Sequence, residues 1–135
     1  MKYLLDTNII SYFLRDASPA LSQRILDSTP DTLAISIISA GELRYGLSKL
    51  TPSKRATELT HHLNALLTAI NVLPLPSNAA QHYGSTRAQL EISGTPIGGN
   101  DLWIAAHALA QNMTLVTNNT REFERVPGLR LENWL

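Results

Sequence analysis

Three acids stand apart in this sequence. Asp6 follows the apolar run Tyr3-Leu4-Leu5, and Glu42 closes a stretch from Thr32 to Gly41 that carries no charge. Asp101 is the only charged residue between Glu91 and Arg121, with histidines counted neutral. A lone carboxylate among apolar neighbours costs free energy unless a partner or a cation compensates it. Three that converge repel one another, and the ion that best relieves them is a hard divalent cation with oxygen ligands, Mg2+ or Mn2+. Two such ions about 3.5–4 Å apart can activate a water and stabilise the leaving oxygen of a phosphodiester. The chemistry open to such a site is metal-dependent phosphoryl transfer.

Each acid taken singly also reads as part of a helix start. Asp6-Thr7 and Asn100-Asp101 have the residue types of an N-cap, and Ser39 with Glu42 has the spacing of a capping box. Residue types and spacing alone leave capping and metal binding both open.

The elements that must position these acids follow from hydrophobic periodicity. Short apolar runs at 2–5, 33–35, 72–73 and 114–116 read as strands, with a last one at 129–131. Between them lie helical patterns at 7–14, from Ser18-Pro19 to Leu26, at 37–49, from Pro52 as first helical residue to Ile70, from a Ser77 cap to Ile92, and at 102–111. Strands alternating with amphipathic helices predict an α/β domain with a mostly parallel sheet. The two helices between the second and third strands predict a helical hairpin. In an open parallel sheet, ligands bind beyond the carboxyl ends of the strands. Asp6 and Glu42 follow two such ends, and Asp101 sits at a neighbouring helix start.

Composition narrows the class. The chain has 135 residues, 44% of them apolar and 16% charged, which suits one domain spanning 1–135 with a real core. Eleven basic residues balance eleven acidic ones, so bulk charge does not hold it to a polyanion. The absence of cysteine removes disulfides, thiol nucleophiles and cysteine zinc sites. No apolar run has the length of a membrane span, and the start is too short for a signal-peptide core. The expectation is a soluble cytoplasmic protein with no membrane partner.

An ordered set of short motifs then gives a resemblance. They are Leu4-Leu5-Asp6-Thr7-Asn8, Ile35-Ser36 leading to Gly41-Glu42-Leu43-Arg44-Tyr45-Gly46, and Gly94-Thr95-Pro96-Ile97-Gly98. Asn100-Asp101-Leu102-Trp103-Ile104-Ala105-Ala106-His107-Ala108 follows, then the run from Leu115-Val116-Thr117-Asn118-Asn119 through Arg121-Glu122-Phe123 to Leu129, and the tail Leu131-Glu132-Asn133-Trp134. The chain resembles the PIN-domain ribonucleases, specifically the VapC toxins of bacterial toxin–antitoxin pairs, over its whole length. The resemblance implies a three-layer α/β/α sandwich around a short, mostly parallel sheet. It implies a Mg2+- or Mn2+-dependent endoribonuclease with Asp6, Glu42 and Asp101 as catalytic acids and metal ligands. Many members carry a fourth acid two residues after the Thr that ends the next strand. Here that Thr is Thr117 and the position holds Asn119, a candidate neutral ligand or water holder, with Glu122 as the alternative that supplies the missing charge. The implied substrate is a structured RNA such as tRNA. The implied partners are a VapB-like antitoxin whose tail fills the acidic crevice, a second copy in a homodimer, and operator DNA through the antitoxin only.

Other residues carry smaller expectations. Thr7 and Asn8 are placed to hydrogen-bond the carboxylates or a metal water, or to cap a helix. Arg44, Lys49, Lys54 and Arg55 form the most basic stretch; Arg44 and Lys49 are the RNA-binding candidates, while Lys54 and Arg55 read as solvated helix surface. His61, His62, His82 and His107 lack zinc-ligand spacing. Trp103 and Trp134 read as core or interface. Two rival functions remain on the residues: a phosphatase with Asp6 as nucleophile, against which Asn8 stands where its second Asp belongs, and a catalytically degenerate domain that only binds an antitoxin and its DNA complex, which Asn119 keeps in play.

Overall fold

The computed structural model describes residues 2–135. Five strands, β1 (Tyr3–Leu5), β2 (Leu33–Ser36), β3 (Asn71–Leu73), β4 (Thr114–Val116) and β5 (Leu131–Glu132), form one sheet in the order β3-β2-β1-β4-β5. Every pairing is parallel. The helices are α1 (Thr7–Leu14), α2 (Pro19–Asp27), α3 (Ile37–Ser48), α4 (Lys54–Ala69), α5 (Ala79–Ile92), α6 (Gly99–Ala110) and the short α7 (Thr120–Phe123).

Strand alternation builds the two outer layers. Leu4, Ala34 and Leu115 point into a core shared with α5, α6 and α7, through Leu90, Leu102, Ile104, Ala105 and Phe123. Their strand neighbours Leu5, Leu33, Ile35 and Val116 point the other way, onto Ile9, Ile10, Leu21, Ile25 and Leu66 of α1, α2 and α4. Each strand of the sheet's centre is therefore apolar on both faces, and the chain is the three-layer α/β/α sandwich expected. No helix of the described residues is long and apolar enough to cross a membrane.

The end of α5 aims the chain at the sheet's carboxyl edge, and the end of α6 returns it to the amino edge. α5 stops at Gly94, whose φ of +71° lets its N–H reach the Glu91 carbonyl while Thr95 N–H reaches that of Leu90. The chain then turns through Pro96–Gly98 into α6. α6 stops the same way at Asn112, φ +53°, and drops into β4.

Several boundaries differ from the sequence reading. α4 begins at Lys54, because the Ser53 hydroxyl, rather than a Thr51-Pro52 start, accepts the Ala56 N–H at 3.1 Å. α5 begins at Ala79 rather than at a Ser77 cap. α6 begins three residues before Leu102, at Gly99, which puts Asp101 inside its first turn. The last strand is Leu131–Glu132, where Leu131 pairs with Leu115. α7 has no counterpart in the sequence reading because four residues carry no periodicity. The Ser39–Glu42 capping box does not form: Ser36, still extended at the end of β2, caps α3 by accepting the Ile38 N–H at 3.2 Å.

Candidate active site

The strand order reverses beside β1, with β2 on one side and β4 on the other, and ligand crevices of open α/β sheets lie at such switch points. Asp6 leaves the end of β1, and Thr117 to Asn119 leave the end of β4. Asp6 caps α1 and also faces the crevice, so the two readings of it are not exclusive. Its Oδ1 accepts the Thr7 N–H at 2.8 Å at the start of α1. Its Oδ2 accepts the Thr117 hydroxyl at 2.9 Å, and the Asn119 N–H in turn donates to that hydroxyl's oxygen at 3.0 Å. Asp6 is buried. Burial raises its pKa, the bonds from Thr117 and Thr7 oppose the rise, and the charges of Glu42 and Glu122 add to it.

Glu42 reaches the crevice from α3. The Thr7 hydroxyl lies 2.7 Å from Glu42 Oε1 and 2.9 Å from Ser39 Oγ. One hydroxyl proton serves one acceptor, so Thr7 donates to the carboxylate and Ser39 donates to Thr7. Asn100 Nδ2 sits 3.4 Å from the other oxygen, Oε2. By sequence Asn100 and Ser39 read only as cap residues; their partners are 58 and 32 positions away, which no local pattern registers.

Asp101 enters from the first turn of α6, where exposed N–H groups favour a negative charge. That help is outweighed: burial, then the charges of Asp6, Glu122 and Glu42, and a hydrogen bond with Glu122, raise its pKa to about 7. Glu122 comes from α7. Its Oε2 accepts Asn119 Nδ2 at 2.7 Å and its Oε1 accepts the Gly98 N–H at 3.3 Å. Asn119 thus holds Glu122 in place, and the neutral amide and the longer acid occupy one corner together.

The four carboxylates feel one another's charge, yet among the described residues no three His, Cys, Asp or Glu side chains close into a ready-made metal cage. All donors are oxygens, with Thr7 and Asn119 beside them. Uncompensated charge, oxygen donors and an open arrangement fit Mg2+, which keeps several waters and takes one or two carboxylates directly.

The remaining expected residues lie farther out. Asn8 is exposed on the rim. Arg44 donates to Asn64 Oδ1 at 2.6 Å in an exposed bond, and Lys49 lies 4.6 Å from the Tyr45 ring centroid. Trp134 packs edge-on against Tyr3, and Trp103 stacks on Tyr83 at 3.9 Å. One buried polar pair has no counterpart in the sequence reading. His107 Nδ1 lies 2.9 Å from Ser36 Oγ, joining the cap of α3, which carries Glu42, to α6, which carries Asp101. Burial lowers the His107 pKa, so the ring is neutral.

A groove leaves the crevice at Glu42 and runs between α1, α3 and α4, lined by Leu14, Leu43, Leu47, Leu59 and Leu63 and, on its α1 side, by Asn8, Ser11 and Arg15.

The sequence profile described as PIN domain matches residues 3–129. The Rickettsia felis protein named Ribonuclease VapC2 is 42% identical over 135 residues, taking in 99% of this chain and 98% of that protein. A Salmonella typhimurium protein named tRNA(fMet)-specific endonuclease VapC is 36% identical over 134 residues, 99% of this chain and 98% of that one. Among solved structures, VapBC2 from Rickettsia felis bound to a DNA fragment from their promoter superposes with a TM-score of 0.89 at 40% identity, covering 100% of both chains.

Proposed function

Since the chain belongs to the PIN-domain family, we propose that it is a metal-dependent endoribonuclease of the VapC kind, held in check by a VapB-like antitoxin. The observation that carries the reading is the meeting of Asp6, Glu42, Asp101 and Glu122 at the sheet's switch point, with Asp101 raised to about 7 by burial and its neighbours' charge. Such a surplus of negative charge is costly to keep unless a cation is part of the working state.

Asp6, Glu42 and Asp101 would hold Mg2+ or Mn2+, directly or through waters, with Glu122 adding the fourth charge. When bound, the ion lowers the pKa of a water and stabilises charge on the leaving oxygen of the phosphodiester. The protein's own part is positioning and proton transfer. Thr117 and the Thr7 N–H fix Asp6, while Thr7 and Asn100 fix Glu42. One of these carboxylates can also accept the proton of the attacking water.

RNA is the substrate in this reading, and the similarity to a tRNA(fMet)-specific relative favours a tRNA. Arg44 and Lys49 would meet its backbone from the C-terminal half of α3 and its end. The groove beside Glu42 suits an amphipathic antitoxin segment whose end then enters the acidic crevice. The VapBC2 complex bound to promoter DNA supports such a partner, and in this reading operator DNA is met through the antitoxin. We place the protein in the cytoplasm, where RNA and antitoxin meet, as a single PIN-like domain over residues 1–135 that forms a homodimer.

The test is incubation of the purified protein with total tRNA, with Mg2+ or with chelator, followed by mapping of new ends. Discrete cuts that require the metal are expected. Intact RNA at millimolar Mg2+ would return the chain to a binding-only role.

A further inference from the structure

A second cavity, of about 310 Å3, opens on the α1 side of the same edge and is lined by Asn8, Ser11, Tyr12, Arg15, Ala17 and Asn118. It shares Asn8, Ser11 and Arg15 with the groove beside Glu42, while Tyr12, Ala17 and Asn118 do not line that groove. Asn8, Ser11, Tyr12 and Arg15 recur at helical spacing and form one polar face of α1, while Ile9 and Ile10 bury the other. Asn118 closes the cavity from the β4 side. The location is fixed by the chain itself: Asn8 is two residues from Asp6, and Asn118 follows Thr117, whose hydroxyl donates to Asp6.

The chemistry of this cavity is the inverse of the crevice beside it. No carboxylate lines it, and its one charge is Arg15. That guanidinium takes part in neither of the ion pairs, Arg24–Glu132 and Arg87–Glu91, found among the described residues. Tyr12 leaves 39% of its surface exposed, so an aromatic ring borders the cavity within reach of an occupant. Asn118 Oδ1 is buried with no hydrogen-bond partner. Rotating the terminal amide exchanges Oδ1 for Nδ2, so Asn118 offers either an acceptor or a donor to an occupant.

An aromatic face, two amides and an unspent cation beside a phosphodiester-cleaving centre match the parts of one nucleotide. We propose that this cavity is a nucleotide subsite for the RNA strand: a base next to the scissile bond stacks on Tyr12 and is met by Asn8 and Asn118, and its phosphate is met by Arg15. The inference rests on the ribonuclease reading and adds to it where the substrate strand runs, off the acids and over α1.

The experiment measures binding of a short, fluorescently labelled single-stranded RNA of mixed sequence. It is done with Mg2+ in an Asp101→Asn background, so that the RNA survives, and compares Tyr12→Ala, Tyr12→Phe and Arg15→Gln. Tyr12→Ala is expected to weaken binding by about tenfold, the scale of losing one stacked base. Tyr12→Phe keeps the ring and should stay within about twofold of the background. Arg15→Gln should weaken binding and reduce the slope of log affinity against log salt by about 0.7, the loss of one single-strand phosphate contact. Metal-dependent cutting by the otherwise wild-type protein is assayed in parallel on tRNA. Cutting with binding and salt slope unmoved by Tyr12→Ala and Arg15→Gln would overturn the subsite alone. So would variants that bind RNA normally but lose affinity for an antitoxin. Absence of any cutting would overturn the ribonuclease reading and the subsite with it.

Discussion

The Thr7 hydroxyl donates to Glu42 Oε1 at 2.7 Å, joining the first turn of α1 to the middle of α3 across 35 positions. One residue earlier, Asp6 caps α1 and accepts from Thr117. Two adjacent residues thus tie the ends of β1, β4 and the helix after β2 to a common point. The acids are held by neutral donors, so their charges stay uncompensated by the protein.

Asp101→Asn tests the centre of that arrangement. Asn keeps the shape of the side chain and removes one charge, so folding should persist. Cleavage of tRNA with Mg2+ should fall by about 10^2-fold or more, the scale of losing one electrostatic contact aimed at a reacting centre. Wild-type cleavage by this variant, measured by single-turnover assay, would remove Asp101 from the chemistry.

The raised pKa of Asp101 makes a stability prediction. Its ordinary value is 3.8 and its folded value is about 7. Between these the folded chain keeps a proton that the unfolded chain has lost, so protonation favours folding in that window. The stabilisation is full below about pH 4 and is lost as pH rises through about 7. His107 works in the opposite sense: burial lowers its pKa from 6.5, so below that value the unfolded state gains protons first and stability falls. Comparison with Asp101→Asn isolates the acid. Urea unfolding with chelator should find wild type losing ground to the variant between about pH 4 and about pH 7 and holding level above that. A difference independent of pH would contradict the charge crowding.

The layers, the parallel sheet and three of the four acids were legible in the sequence for a physical reason. Buried strands are short and largely apolar, and an acid left alone among such residues is conspicuous. What was illegible depends on partners distant in sequence. Ser39 and Glu42 satisfy the capping-box spacing, yet both turn to Thr7, and Ser36 takes the cap because β2 runs one residue further than its apolar run. Glu122 is a candidate only through the resemblance, because its charged stretch reads equally as surface; the Gly98 N–H, 24 positions away, joins Asn119 in drawing it to the crevice. Ser36 and His107 are 71 positions apart, and nothing in either segment points to the other.

Metal should stabilise the folded protein. An ion that binds only the folded state at a concentration about 100 times its Kd adds about 2.7 kcal/mol, several degrees of Tm for a domain of this size. Asp6→Asn should shrink the shift and raise the Tm of the metal-free protein, since it removes a buried charge facing Glu42 and Glu122. A melting curve unmoved by millimolar Mn2+ would argue against a formed site.

The Ser36–His107 pair sets a different expectation, on stability alone. Ser36→Ala removes the cap of α3 and the partner of His107 Nδ1, and His107 Nε2 already has no partner. The ring is then buried with neither nitrogen bonded. Losing a cap costs about 1 kcal/mol and an unsatisfied buried group about 1–3 kcal/mol, so by urea unfolding a loss of about 2–4 kcal/mol is expected. Adding His107→Leu to Ser36→Ala removes the stranded polar ring and should recover part of it. Additive losses in the double variant would mean that the two side chains do not depend on each other.

The fourth charge turns on Glu122 and Asn119. Asn119 Nδ2 donates to Glu122 Oε2 at 2.7 Å, and Glu122 in turn shares a hydrogen bond with Asp101. If Glu122 serves the metal site, Glu122→Gln should lower cleavage, most at low Mg2+, because one charge offsetting the cation is gone while the side chain's reach is unchanged. Asn119→Asp alone should also lower it, since a carboxylate at position 119 repels Glu122 instead of holding it. Combining the two changes exchanges donor and acceptor: the new carboxylate at 119 accepts from the new amide at 122. The hydrogen bond between the two positions survives, and the net charge is that of wild type. Activity should therefore return in part in the double variant. A surface ion pair would behave otherwise, since exposed pairs contribute about 0–1 kcal/mol and touch no reacting atom. Full cleavage by Glu122→Gln across a Mg2+ titration would leave Asp6, Glu42 and Asp101 as the whole of the acidic set.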